Sequence, residues 1–245
     1  MSWQLFMQTL GSSLIIFSGG IMLLKWLSDS TVQHLVNRAG RSNSELWYMR
    51  PGIFIHELWH AAIAVLFGIH VSKLSMRPDY RNNSAAHVDM QYNPAKWRHR
   101  VGLLFSSTAP AWGNALIMML LTRQAFFQNN ISLDWDIRQS VATNQIAPLF
   151  RGLQDITINW PWLAALLLVG LVLTPGFSPS TQDLKNALSG LPWLLAALAG
   201  IFVLSGWVFR SWLWVWMRLN IYMAITFVVI LVFSLLMNLL SRKLL

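Results

Sequence analysis

Two histidines and a glutamate stand together in an otherwise apolar stretch, Arg50 to His70, RPGIFIHELWHAAIAVLFGIH. The run His56-Glu57-Leu58-Trp59-His60 is an HExxH motif. On a helix, side chains at i and i+4 lie one above the other on the same face, so both imidazoles can reach one metal ion. The glutamate beside the first histidine can then act as general base toward a water that the metal polarises. For a chain of this composition, chance gives roughly 0.001 such matches. The bland alternative is a polar cluster that glues helices together. Hydrogen bonds between membrane helices contribute only about 1 kcal/mol, and Ser, Thr or Asn would serve that end.

A catalytic zinc takes three protein ligands and keeps a fourth position open. His56 and His60 supply two. The only glutamates are Glu45 and Glu57, so none follows the motif and the third ligand must be an Asp or another His. Downstream stand Asp79, Asp89, Asp134, Asp136, Asp155, Asp183, His70, His87 and His99. His70 lies near three helical turns beyond His60, too far for the same ion. Asp183 is the best placed, because it follows a Pro175-Gly176 break where a carboxylate could point into a bundle. The alternative for Asp183 is a helix-N-terminal acid, favourable toward the helix dipole by about 0.3–1 kcal/mol. His87 is the next candidate, weighed against a loop or hydrogen-bonded structural histidine. Asn114 could support the metal's ligands or hold a substrate backbone, and interhelical hydrogen bonding explains it equally well.

The elements that must position these residues are those of a membrane protein. The chain has 245 residues, 55% hydrophobic and 11% charged, more apolar and less charged than soluble domains. A single integral membrane domain over 1–245 is the expectation. With no cysteine, a disulfide framework, a Cys-based zinc site and a Cys nucleophile are excluded. The net charge of +9 fits Lys and Arg flanking spans and meeting anionic lipid. No basic soluble domain suggests nucleic acid. No Lys or Arg precedes Lys25 and no small-residue cleavage site stands out, so a removable signal peptide is not expected.

Along the chain, Leu5 to Leu27 reads as a first span and the polar Ser28 to Tyr48 as a loop with room for a short helix. Pro51 marks a helix start, and a second span runs to about Val71. KLSMRP and AAHVDMQYNP flank the turn PDYRNNS and predict a β-hairpin over Val71 to Asn93 at the membrane surface. Val101 to Thr122 is a third span, with Pro110, Gly113 and Asn114 at its centre. Trp160 to Thr174 is apolar but short, breaks at Pro175-Gly176 and restarts near Ser180 or Thr181. This is the pattern of an interrupted membrane helix. Pro192 to Phe209 and Asn220 to Leu240 complete the set, with the Trp-rich Ser211 to Arg218 at an interface. The expected fold is therefore an all-α polytopic membrane protein of about six transmembrane helices, one interrupted, with a short hairpin. Lys and Arg divide nine to nine between the two faces, so the positive-inside rule gives no orientation.

HELWH on a membrane helix, a surface hairpin, a span with Pro, Gly and Asn, and a distal Pro-rich turn with an Asp together resemble the site-2 protease family of intramembrane zinc metallopeptidases. The similarity is to small bacterial members, which share a His before Tyr-Asn-Pro, as in AAHVDMQYNP, and a Ser-Pro element with an Asp before Leu-Lys, as in SPSTQDLKNALSGL. It covers roughly residues 50–191, the metallopeptidase-like core. The resemblance implies Zn²⁺ held by His56, His60 and Asp183, with Glu57 as general base. It also implies membrane protein or peptide substrates and a place in the bacterial inner membrane. One feature departs from it: the family's Asp stands directly before Gly, and Asp183 precedes Leu184. The expectation is an intramembrane zinc metalloprotease. The alternatives are a transporter or scaffold with a regulatory or vestigial zinc site, and a structural membrane subunit with no metal.

Overall fold

The computed structural model describes residues 3–40, 49–76, 86–128, 156–177, 180, 182–190 and 212–243, with scattered single positions between 135 and 200. The described residues are mostly helical, with one small antiparallel sheet among them. Helix α1 (Trp3–Leu14) runs through a π-helical turn, Ile15–Gly19, into α2 (Gly20–Ala39). Then come α3 (Arg50–Leu66), β1 (His70–Ser75), β2 (His87–Gln91) and α4 (Trp97–Phe126). α5 (Trp160–Leu173) ends in a 3-10 turn, Thr174–Gly176, and is followed by α6 (182–190) and α7 (Trp212–Lys243).

The residues gather into two compact units. In the first, α1 is tied to the start of α7 by polar contacts. Ser13 Oγ donates to Asn220 Oδ1 at 2.9 Å, Trp216 Nε1 donates to Ser13 Oγ at 2.9 Å, and Asn220 Nδ2 donates to the Thr9 carbonyl at 2.9 Å. Phe127 is packed by Phe126, Ile221, Tyr222 and Ile225. The second unit contains the HExxH helix. Its core joins Leu35, Met49, Ile53 and Ala86, with Val32 and Met76 against them.

Within the second unit, glycines set how closely α3 and α4 approach. A Cβ on Gly102 would lie 2.4 Å from Phe67 Cβ, and one on Gly113 would lie 2.6 Å from the Trp59 indole. Phe67 and Phe105 stack across this seam, centroids 5.6 Å apart. α6 reaches the same helix: a Cβ on Gly190 would lie 2.4 Å from Leu104 Cβ. α3 has a proline in its first turn, as expected of Pro51. It stops by a Schellman turn, with Gly68 at φ +78, Ile69 N bonding Ala64 O at 3.0 Å and Gly68 N bonding Val65 O at 2.9 Å.

Several expectations are corrected. Six spans are not supported: among the described residues two helices, α4 and 215–242 of α7, are long and apolar enough to cross a membrane. The expected second span is a 17-residue helix that Gly68 ends before Val71. The expected first span is divided by the π turn, and the helix beyond it continues to Ala39 instead of giving way to a loop at Ser28. That polar stretch is helical because Leu24, Leu27, Ser28, Thr31 and Leu35 form one buried face. Lys25 and Asp29 pair across one turn of it at 2.9 Å. The Trp-rich Ser211 to Arg218 leads into α7 and is part of the same helix from Trp212. The hairpin has its strands near the expected place, paired from His70 opposite Gln91 to Ser75 opposite His87. Its turn, PDYRNNS, and most of Pro192 to Phe209 lie outside the described residues.

Candidate metal centre

His56 and His60 sit on the buried face of α3, 8% and 4% exposed. The i, i+4 spacing brings their rings to 4.7 Å between centroids, 77° apart in plane. The two Nε2 atoms lie 3.0 Å apart. Asp183 reaches the same point from α6: Oδ2 is 3.7 Å from His56 Nε2 and Oδ1 is 3.4 Å from His60 Nε2. The Asp183 side chain is 13% exposed. Among the described residues, this trio is the group of His and Asp side chains that could hold a metal ion.

The second nitrogen of each ring settles what the first can do. His56 Nδ1 lies 2.8 Å from the Gly176 carbonyl, and His60 Nδ1 lies 2.7 Å from the Ser106 carbonyl. A carbonyl only accepts, so each Nδ1 carries the proton and donates. Each Nε2 of the neutral ring is then a bare lone pair. Two lone pairs at 3.0 Å, with a carboxylate beside them, repel one another unless a cation stands between. Donors bound tetrahedrally to zinc at about 2.0–2.1 Å stand roughly 3.3 Å from each other. The observed 3.0, 3.4 and 3.7 Å bracket that value. Two imidazoles and a carboxylate, with backbone carbonyls fixing the tautomers, make a donor set suited to a divalent metal.

The turn after α5 supports this arrangement. Gly176 accepts from Asn114 Nδ2 at 3.1 Å as well as from His56. Asn114 Oδ1 in turn accepts from Trp59 Nε1 at 3.0 Å. Trp59, inside the HExxH motif, fits there because position 113 has no side chain. Gly176 itself must be glycine, since a Cβ there would lie 2.4 Å from the Gly52 carbonyl at the start of α3. Asn114 is fully buried and holds the backbone carbonyl that orients the His56 ring.

Asp183 is fixed from its own helix. Ser180 N and Ser180 Oγ both donate to Oδ2, at 2.8 and 2.7 Å. Glu57 is 8% exposed and follows the first histidine on α3.

The structure therefore brings together His56, His60 and Asp183 and places Asn114 behind them. His87 is not in the group. It opens β2 opposite Ser75, and its buried Nδ1 has no hydrogen-bond partner among the described residues. His70 and Asp89 are in the hairpin, also outside the trio, and His99 Nδ1 accepts from Asn93 N at 2.9 Å. Two contributors escape a reading of side-chain types, the carbonyls of Ser106 and Gly176. Comparison with protein-family models, with curated proteins and with solved structures gives no match.

Proposed function

We propose that this chain is a multi-pass membrane zinc metalloprotease resembling the site-2 protease family. Its membrane-associated substrates would be cut at a peptide bond beside His56, His60 and Asp183. One observation carries the reading: two Nε2 lone pairs and a carboxylate converge at 3.0–3.7 Å, with both Nδ1 protons committed to backbone carbonyls. The donors are two nitrogens and an oxygen, the set that catalytic zinc commonly takes. Zinc supplies Lewis acidity, which lowers the pKa of a bound water and polarises the scissile carbonyl.

The chain's own residues do the rest. Glu57 takes the proton from the attacking water and returns it to the leaving amine. Asn114 and Gly176 keep His56 aligned, and Ser180 keeps Asp183 aligned. The hairpin borders the His60 side, where Met90 Sδ of β2 lies 3.6 Å from Ser106 Oγ. A substrate must be extended, because a helix conceals its carbonyls. A strand edge beside the site is suited to hold such a segment by backbone pairing. The outer face of α7 favours a lipid surrounding, with Val228, Val232, Leu235, Leu236 and Leu239 all 45–59% exposed.

The test is made on the purified full chain in proteoliposomes containing a single-span peptide. One zinc per chain and cleavage that stops on chelation and returns with added zinc are expected. Full zinc occupancy with no cleavage of any single-span peptide in a diverse library would count against proteolysis.

A further inference from the structure

We propose that Pro110 is a positioning residue for the metal centre: lacking an N–H, it frees the Ser106 carbonyl within α4 to hold His60 in its metal-binding tautomer. The consequence for metal binding rests on the function proposed above; the tautomer itself does not.

In an uninterrupted α-helix the amide of residue 110 would donate to the carbonyl of residue 106. Proline has no amide proton. α4 nevertheless runs helical from Trp97 to Phe126 with Pro110 inside it and fully buried. A carbonyl released in an apolar interior needs another donor. Here that donor is His60 Nδ1, 2.7 Å from Ser106 O. Because the carbonyl can only accept, Nδ1 keeps its proton and Nε2 faces His56 and Asp183 as a lone pair.

Two neighbours make the assignment specific. Ser106 Oγ donates to the His60 carbonyl at 2.8 Å, so α3 and α4 are held at the same level by bonds in both directions. Thr108 Oγ1 lies 3.0 Å from Leu104 O and 3.3 Å from Phe105 O, so its hydroxyl is occupied with other carbonyls. The contrast with His56 is instructive. Its acceptor, Gly176 O, lies in a short 3-10 turn after α5. The acceptor for His60 lies in mid-helix, at the one carbonyl of α4 whose amide partner four residues later is replaced by a proline nitrogen.

The experiment compares wild type, Pro110→Ala, and Pro110→Ala carrying a backbone ester in place of the amide before residue 110. The last two share a side chain and differ by one N–H. Histidine ring ¹⁵N shifts are read in the metal-free full-length protein at alkaline pH, and zinc affinity by chelator competition. In wild type His60 carries its proton on Nδ1. In Pro110→Ala the new amide competes for Ser106 O, the His60 population moves toward the Nε2–H tautomer, and zinc affinity falls about 10- to 100-fold. The thermal midpoint of the metal-free variant stays or rises, because a helix-interior proline has been removed. The ester restores both tautomer and affinity, and Ser106→Ala, which keeps the carbonyl, leaves the tautomer as in wild type.

An unchanged tautomer in Pro110→Ala, an ester variant that behaves like the amide variant, or loss of fold in both would overturn the proposal. If wild type takes up no zinc, the metalloprotease reading fails while the tautomer comparison still decides the role of Pro110.

Discussion

Asp183 Oδ2 accepts two hydrogen bonds from Ser180, one from its amide at 2.8 Å and one from its hydroxyl at 2.7 Å, while Asp183 N donates back to Ser180 Oγ at 3.0 Å. This reciprocal pairing is a capping box with Asp in the usual place of Glu. The same carboxylate faces both histidine Nε2 atoms. Capping the start of α6 and facing the two histidines are thus one arrangement. The cap fixes the rotamer, and the fixed rotamer aims the carboxylate.

The two roles separate by substitution. Asp183→Asn keeps an oxygen that can accept from Ser180 but loses the charge, so α6 survives and zinc affinity drops by more than about 100-fold. Ser180→Ala removes the cap's hydroxyl, which costs about 1 kcal/mol of stability, and loosens the ligand enough to weaken zinc about 10-fold. Chelator competition together with thermal unfolding checks both. Retention of full zinc affinity by Asp183→Asn would remove Asp183 from the ligand set.

Glu57→Gln preserves shape and removes the proposed proton acceptor. Zinc content per chain stays at the wild-type level, since the three donors are untouched. The cleavage rate falls by roughly 10²- to 10⁴-fold, the usual contribution of a general base. Single-turnover cleavage beside elemental analysis measures this, and a wild-type rate would assign the proton transfer to another group.

Asn114 and His87 are predicted to behave oppositely. Asn114→Ala leaves Trp59 Nε1 without its 3.0 Å acceptor and Gly176 O with one donor fewer. Stability falls by about 1–3 kcal/mol, and zinc affinity falls roughly 10-fold because His56 loses its fixed orientation. His87→Ala leaves zinc affinity unchanged, as the residue is outside the trio. A zinc defect in His87→Ala would reopen the choice of third ligand.

What could be read beforehand follows from how local each signal is. His56, Glu57 and His60 carry their geometry in five consecutive residues of one helix, so spacing alone placed the two rings on one face. Asp183 was readable because a break at Pro175-Gly176 is punctuation that sequence displays. The carbonyls of Ser106 and Gly176 were not, since every residue has a carbonyl and only the tertiary fold selects these two. The extension of α2 to Ala39 was hidden by polarity. Ser28 and Thr31 are buried on the same face as Leu24 and Leu35, so the helical period was present without an apolar label. Among the described residues fewer helices reach spanning length than hydrophobicity suggests, because hydrophobicity does not see stops such as Gly68, whose left-handed turn ends α3 at 17 residues.

Removing the metal should destabilise the second unit specifically. Without a cation, two lone pairs at 3.0 Å and a carboxylate are left facing each other in a buried site. A ligand that binds only the folded state stabilises by an amount set by its concentration over its Kd, about 4 kcal/mol at 1,000-fold excess. Chelation should therefore lower the unfolding midpoint, and hydrogen exchange should quicken first in α3 and in α4 near Ser106. Acid should have the same effect. Binding requires neutral imidazoles and an ionised carboxylate, so protons compete with metal and zinc affinity falls as pH falls. Zinc retention measured by dialysis across a pH series should decline toward acid pH in wild type. A retention curve flat from neutral to mildly acidic pH would mean that the histidines are not its ligands.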